Sequence, residues 1–353
     1  MTTLAPLLPL LPPLLMLVLL ALRQPLVIIL LALAACVHGL WGAGRLDYIA
    51  EDLWIALDKE LILSIPMFLL CGQVMTRGGT ARRIVAVMQA LTPRLPGGMA
   101  VAATLACALD ASISGSSIVT MLAIGSVMVP SLLAAGYERR YALGSVMAGG
   151  TLGIIIPPSI PLIVYGLVTE TSVVELFKAG VGPGLLLTVV FAAYAMWRHR
   201  HMPPKPFDPG ALWRALREGV WALGMPLLLL GGIYSGRFGL IEAAAVALLY
   251  AVAVELFVHR ALTLRGLYDT VLEAARFGGA LFPIIAIAVS LSVVMAEHRV
   301  APQLVAAVQG WIATPLAFML AVNALLLLVG TVMTADVAIL VLAPLLAPLP
   351  AAY

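Results

Sequence analysis

Two groups of small and hydroxyl-bearing residues interrupt the apolar sequence between positions 109 and 166, and their types suit ion binding. The first group places serines around a glycine, and the second combines glycines, a threonine and a double proline. They are Ser112, Ser114, Gly115, Ser116 and Ser117, then Gly150, Thr151, Gly153, Pro157, Pro158 and Ser159. Two adjacent prolines break a helix. Hydroxyl and carbonyl oxygens at a break can ligate Na⁺, while the exposed N–H groups attract anions.

A third group of this kind lies near the end of the chain, where Gly330, Thr331, Thr334 and Asp336 follow an apolar run. Asp336 and Asp110 both have apolar neighbours, and a bare charge in such a place costs at least about 2.5 kcal/mol in a membrane. Each carboxyl group is therefore expected to be paired, protonated or functional. The position of Asp336 favours function. For Asp110, a partner across a hairpin and ion binding remain equal alternatives.

The serines also permit other interpretations. Ser114 and Ser116 could simply be small residues that allow close helix packing. A serine beside a glycine would also suit an intramembrane serine hydrolase, which needs a base within hydrogen-bond reach of the nucleophile. His38 is the one histidine within an apolar run, and it lies near the end of that run. We therefore favour transport over hydrolysis and expect no enzyme.

His199, His201 and His259 lie in charged connections and are expected to be solvated.

The elements that must position these groups are membrane helices. Hydrophobic residues make up 63% of the 353 residues and charged residues 10%, against about a quarter charged in soluble domains. This composition predicts an all-α polytopic protein whose principal surroundings are the lipid bilayer. The net charge of +3 is too small to indicate nucleic-acid binding.

Run lengths predict how the helices are interrupted. Residues 99–109 supply about half of the roughly 20 residues that a crossing needs, which predicts a re-entrant hairpin with its tip at residues 112–117. Residues 141–156 then approach a second break, an unwound helix at 150–159, which lies against that tip. Residues 61–75 are expected to be interrupted by Pro66 and Gly72. Residues 45–60 suit an amphipathic helix in the membrane interface, with a solvated connecting helix as the alternative.

The hydropathy pattern repeats along the chain. N-terminal membrane helices and the interfacial helix occupy residues 1–60, and a first repeat occupies residues 61–197. A basic, proline-rich linker at 198–218 is expected in the cytoplasm, and a second repeat follows at 219–353 with a hairpin tip at 330–336. Such duplication is typical of transporters with inverted repeats. The second repeat ends soon after its tip, so we expect a truncated chain.

Five separated stretches resemble one family in the same order. They read IPMFLLCGQVMTRGG (65–79), RLPGG (94–98), SGSSIVTMLAIGSVMVP (114–130), GTLGIIIPPSIPLIVYG (150–166) and GGIYSGRFGLIEAAA (231–245). They are similar to the large membrane (permease) subunit of TRAP transporters, the tripartite ATP-independent periplasmic systems. The resemblance covers nearly the whole chain from residue 65 onward.

The resemblance implies an elevator-type secondary transporter in the bacterial inner membrane, with Na⁺ as the coupling ion and no other cofactor. It implies an organic anion as substrate, such as a C4-dicarboxylate or sialic acid, and two partners: a small four-helix membrane subunit and a periplasmic substrate-binding protein. Family roles then make 112–117 and 330–336 hairpin tips and 150–159 the unwound helix. Na⁺ would bind hydroxyl and backbone oxygens near Ser114, Ser116, Thr151 and Thr334. A truncated subunit that binds its partners without transporting is the alternative.

Overall fold

The computed structural model describes residues 11–41, 47–298, 303, 312, 314–331, 333–347 and 349, and every regular element among them is helical. Six stretches of these residues are long and apolar enough to cross a membrane. The α-helices are α1 (Leu11–Ala21), α2 (Leu26–Leu40), α3 (Asp47–Leu57), α4 (Ser64–Arg77), α5 (Thr80–Leu91), α6 (Gly98–Ser114), α7 (Ser117–Ala134), α8 (Arg139–Gly150), α9 (Ile160–Thr169), α10 (Val173–Arg198), α11 (Pro209–Tyr234), α12 (Leu240–Ala253), α13 (Leu264–Glu297), α14 (Pro315–Gly330) and α15 (Ala335–Leu346). The predicted all-α polytopic class is confirmed.

The chain folds into two compact units. The first comprises residues 1–62, 164–171 and 277–353, and the second comprises residues 63–163 and 172–276. The division into repeats at residues 60, 197 and 218 stays a prediction. Of the linker predicted at 198–218, only residues 199–208 lie outside the helices, because α11 already begins at Pro209.

The first unit has an apolar core where α2, α3 and the second half of α13 meet. Leu30 and Val37 of α2 pack there with Ile49 of α3 and with Ile287 and Leu291 of α13. The helix α3 confirms the predicted helical segment before residue 60, although Arg45 and Leu46 lie outside the described residues. Its placement in the membrane interface stays a prediction.

A polar cluster accompanies that core. His38 Nε2 lies 3.0 Å from the hydroxyl of Ser290, which in turn donates to Asp52 Oδ2 at 2.7 Å. This order differs from that of a catalytic triad, in which the histidine accepts the serine proton and a carboxylate orients its other nitrogen. His38 Nδ1 has no partner among the described residues, and Ser290 is fully buried. The cluster therefore joins three helices and gives no support to hydrolysis.

The second unit gathers its basic connections on one face. The amide of Lys205 donates to the carbonyl of Pro93 at 2.8 Å, and Arg94 lies over the ring of Phe207. His199 packs against Tyr137 and Tyr141, with ring centroids 4.6 and 4.1 Å away. The connections before α6, before α8 and before α11 therefore lie together, at the open end of the α6–α7 hairpin.

Two histidine predictions were wrong. His199 is buried against the two tyrosines, and burial lowers its pKa, although the carbonyl of Ala195 partly opposes that shift. The side chain of His259 is also buried, and its Nδ1 lies 3.1 Å from the carboxylate of Glu255. Both lie in polar connections of the sequence, but neighbouring helices cover them. His201 is exposed as predicted.

The predicted interruption of residues 61–75 was also wrong, since α4 runs unbroken from Ser64 to Arg77. Pro66 lies in its first turn, where the missing N–H has no partner within the helix in any case. Gly72 serves packing, because a Cβ atom there would lie 2.8 Å from Cα of Ser114. The glycine therefore lets α4 approach the hairpin tip.

Candidate functional site

The first break is narrower than predicted. The helix α6 continues through Ser112 and ends at Ser114, and α7 begins at Ser117. Only Gly115 and Ser116 separate them: Gly115 is left-handed with φ +61°, and Ser116 is extended. Left-handed backbone is readily adopted by glycine alone, so Gly115 allows the chain to reverse within two residues.

The second break follows α8 as predicted. A short 3₁₀ turn spans Thr151–Ile154, and residues 155–159 are non-helical up to the start of α9. The hydroxyl of Ser159 donates a hydrogen bond to the carbonyl of Ile154 at 2.7 Å and accepts one from the amide of Leu162 at 3.4 Å. Ser159 therefore fastens the irregular segment to the first turn of α9.

The two breaks contact each other through their backbones. The amide of Ile160 donates to the carbonyl of Gly115 at 3.0 Å. A Cβ atom on Gly115 would lie 2.9 Å from the carbonyl oxygen of Pro158, and one on Gly153 would lie 2.6 Å from that of Ser116. The prediction that the two broken elements meet is confirmed, and glycines permit the contact.

The hydroxyl groups at the breaks differ in availability. Ser114 is buried and its Oγ lies 2.6 Å from Oγ1 of Thr120. Ser112 and Thr151 donate to carbonyls of their own helices. Ser116 and Ser117 are half-buried, and their hydroxyls have no protein partner among the described residues. The hydroxyl oxygens that are free to bind a ligand are therefore those of Ser116 and Ser117.

Asp110 is buried on α6 one turn before the tip. Thr120 of α7 interacts with its carboxyl group across the hairpin, as one of the two sequence alternatives expected. Its Oδ2 atom has no partner among the described residues. Asp110 thus lies buried beside the hydrogen-bonded hydroxyls of Thr120 and Ser114 between the hairpin arms.

The start of α7 supplies the electrostatics of the site. No side chain caps this helix, so the amides of its first turn, including that of Ser117, have no side-chain acceptor. A Cβ atom on Gly153 would lie 3.0 Å from the Ser117 nitrogen, which places the 3₁₀ turn beside this helix end. Helix N-termini carry partial positive charge and favour anions. The break therefore offers both free hydroxyls and an uncapped helix end.

The third group of small and hydroxyl-bearing residues, at 330–336, belongs to the first unit. There α14 ends at Gly330, and α15 begins at Ala335 with Thr334 extended before it. The hydroxyl of Thr331 donates to the carbonyl of Leu328 at 2.6 Å. Asp336 lies in the first turn of α15, and its Oδ1 is buried without a partner among the described residues. Val332 lies outside them. The predicted helix break is present, and its role in binding stays a prediction.

Sequence reasoning missed two residues that shape the site. Gly72 brings α4 against Ser114, and Gly149 brings α8 against Cys107, whose Sγ would lie 2.7 Å from an added Cβ atom. A glycine inside an apolar helix can indicate close packing. The identity of the partner cannot be read from that signal.

Comparison with known proteins places the chain in a family. The model for the DctM component of tripartite ATP-independent periplasmic transporters matches residues 14–353. A C4-dicarboxylate TRAP transporter large permease protein of Pseudomonas aeruginosa is 40% identical over 308 residues, which cover 85% of this chain and 71% of that protein. An ectoine/5-hydroxyectoine TRAP transporter large permease protein of Ruegeria pomeroyi is 33% identical over 340 residues, which cover 94% and 79%.

An isethionate TRAP transporter permease protein of Oleidesulfovibrio alaskensis is 36% identical over 312 residues. The match covers 87% of this chain and 49% of that protein, so the chain spans about half the length of this relative. All three relatives are named as transporter permeases. The chain thus belongs to the DctM family of TRAP transporter components and is a multi-pass protein of the bacterial inner membrane.

Proposed function

We propose that the chain carries out Na⁺-coupled secondary uptake of an organic anion by an elevator mechanism. A periplasmic binding protein delivers the substrate, and a small four-helix membrane subunit is the second partner. The observation that carries the proposal is the contact between the two breaks. There, two unpartnered hydroxyls lie beside an uncapped helix end in a compact unit of membrane helices.

The chemistry at the break suits both a cation and an anion. Na⁺ prefers several hard oxygen ligands, and Ser116 and Ser117 contribute hydroxyls there beside the backbone carbonyls of a broken helix. Amides at the start of α7 suit a carboxylate or sulfonate oxygen. Relatives are named for C4-dicarboxylate and isethionate, which carry such groups. We therefore propose a small organic acid as the substrate class.

Na⁺ binding can be tested on the purified chain alone. We expect Na⁺ to raise the melting temperature relative to K⁺ at equal ionic strength, because a ligand that binds only the folded state stabilises it. The substitution Ser116→Ala removes a free oxygen at the tip. It should raise the Na⁺ concentration for half-maximal stabilisation about tenfold or more, as for loss of a hydrogen bond to a charged group.

The matched control is Ser126→Ala on the same helix, because the hydroxyl of Ser126 donates to the carbonyl of Ala123 away from the break. It should leave the response to Na⁺ unchanged. An unaltered Na⁺ response in Ser116→Ala would remove this residue from the site. In proteoliposomes with both partners, uptake of succinate that persists when K⁺ replaces Na⁺ would exclude Na⁺ coupling.

A further inference from the structure

The second unit contains a groove that the proposed transport site does not use. It has a volume of about 400 Å³ and lies between α8 and α10, and Thr104 of α6 also lines it. Its residues extend along α8 from Arg140 to Ala148. At 1.5 Å per residue this is about 12 Å, or roughly the depth of a phospholipid headgroup and its first acyl carbons.

The mouth of the groove is cationic. Arg140 of α8 and Arg198 of α10 both line it, both are exposed, and neither has a carboxylate partner among the described residues. Glu138 also lines the mouth, so one positive charge is left in excess. Tyr141 and Tyr194 also line the groove, and their hydroxyl groups are hydrogen-bond donors. Two arginines on different helices that line one groove suit a phosphate, whose oxygens accept several charge-assisted hydrogen bonds.

The part of the groove away from the mouth is mainly apolar, and the hydroxyls of Thr104 and Ser145 there donate to carbonyls of their own helices. Ala148 and Phe191 line it, and a Cβ atom added to Gly144 would meet no atom within 4 Å, so this part is open space. On the flanking surfaces, Met147 of α8 is 60% exposed and Leu186 of α10 is 64% exposed. Exposed apolar side chains on membrane helices are compatible with contact to lipid acyl chains. The groove therefore joins an apolar surface at membrane depth to a cationic mouth.

The level of the mouth matches a lipid headgroup. Trp197 is 64% exposed on the last turn of α10, and its ring lies beside that of Tyr194. Exposed tryptophan and tyrosine are typical of the membrane interface. The mouth also opens on the face where the basic connections gather, which the positive-inside rule assigns to the cytoplasm. Basic pockets between membrane helices on that side bind anionic headgroups.

We propose that this groove binds an anionic phospholipid of the cytoplasmic leaflet. Arg140 and Arg198 hold the phosphate, the tyrosine hydroxyls hydrogen-bond to it, and an acyl chain lies against Gly144 and Phe191. A free phosphate or small organic anion would satisfy the mouth but leave the apolar part empty. The proposal concerns binding by the chain itself and is independent of the proposed transport function.

The test is a lipid titration of the purified chain in mild detergent. The probes are dioleoylphosphatidylglycerol, dioleoylphosphatidylcholine, glycerol 1-phosphate and inorganic phosphate, with bound lipid counted by native mass spectrometry. We expect phosphatidylglycerol to bind more tightly than phosphatidylcholine. The double substitution Arg140→Gln with Arg198→Gln should weaken phosphatidylglycerol binding about tenfold or more. Gly144→Leu should also weaken it, because it fills the apolar part without changing any charge.

The matched control is Arg139→Gln with Arg200→Gln, which removes the same charge from neighbouring exposed arginines outside the groove. It should change the affinity less than about twofold. Equal loss of affinity in the two double variants would overturn the proposal and indicate attraction to the basic face as a whole. Competition by inorganic phosphate or glycerol 1-phosphate at concentrations comparable to the lipid would also overturn it, in favour of a free-anion site. This experiment measures lipid binding and not substrate uptake. Either result therefore leaves the transport proposal to be tested separately.

Discussion

At the scale of single residues, the serines at the first break look equivalent in the sequence but differ in burial and hydrogen bonding in the structure. Ser114 is buried and bound to Thr120, whereas Ser116 is half-buried and free. Ser114 lies against α4 at Gly72, whereas the backbone of Ser116 lies against Gly153 of the 150–159 segment. Glycines therefore allow the close contacts on both sides of the tip.

The importance of this contact can be measured with Gly153→Ala. The added methyl group would lie 2.6 Å from the carbonyl oxygen of Ser116, and the atoms it would meet belong to the backbone and cannot easily move away. Overpacking of this kind costs about 1–3 kcal/mol, so we expect a lower melting temperature and loss of stabilisation by Na⁺. Gly182→Ala on α10 is the control, since its methyl group would meet no atom within 4 Å. Equal stability of the two variants would contradict tight contact at the break.

At the scale of elements, one carboxylate holds the corner between α4 and α5. Glu255 lies in a π-helical segment, Val254–Val258, that follows α12, and it is fully buried. It accepts hydrogen bonds from the amide of Gly79 at 2.8 Å and the hydroxyl of Thr80 at 2.5 Å, and it pairs with His259. The Glu255 carboxylate occupies the space that a side chain at position 78 would need, and Gly78 leaves that space open. The start of α5 is thus capped from a distant helix.

Neutralising this carboxylate should be costly. Glu255→Gln replaces one carboxylate oxygen by an NH₂ group, which cannot accept a hydrogen bond from the Gly79 amide or the Thr80 hydroxyl. It also removes the carboxylate that pairs with His259. We expect it to lower the free energy of unfolding by about 3 kcal/mol, as for loss of one partner of a buried pair. The control is Glu273→Gln, which removes an exposed ion pair with Arg77 and should cost less than about 1 kcal/mol. Melting temperatures of the purified variants distinguish the two, and similar losses would refute a capping role for Glu255.

At the scale of the whole molecule, the orientation in the membrane follows from the second unit. We expect α11, which starts beside the basic connections, to cross away from them and α12 to return, which would bring Glu255 back toward the basic face. The helix α5 begins at that corner and ends beside Pro93, which also lies on that face. Its 12 residues are too few to cross. It packs lengthwise against the first half of α11, where Gly219 lies against Val87.

Cysteine labelling tests this orientation in intact and permeabilised cells. Arg94→Cys and His201→Cys should react with a membrane-impermeant maleimide only after permeabilisation, because both positions are exposed on the basic face. Ser235→Cys, in the connection between α11 and α12, should react in intact cells. The native Cys71 and Cys107 are fully buried and should stay unlabelled. Labelling of Arg94→Cys and Ser235→Cys from the same side would contradict the crossing of α11.

The sequence by itself determined the class of the protein and the places of three helix breaks. Both follow from local rules: the length of an apolar run fixes what can cross the bilayer, and glycine and proline fix where a helix can break. The same local rules misjudged Pro66, because its effect depends on where the helix starts, and His259, because its surroundings come from other helices.

Only the tertiary structure decided which of these residues act together. It showed that Ser116, and not Ser114, has a free hydroxyl, that Glu255 caps a helix 176 positions away, and that Arg140 and Arg198 share a groove. The physical reason is that hydrogen bonding, burial and charge pairing depend on distances in space between residues far apart in sequence. Periodicity and spacing record only the neighbours along one helix.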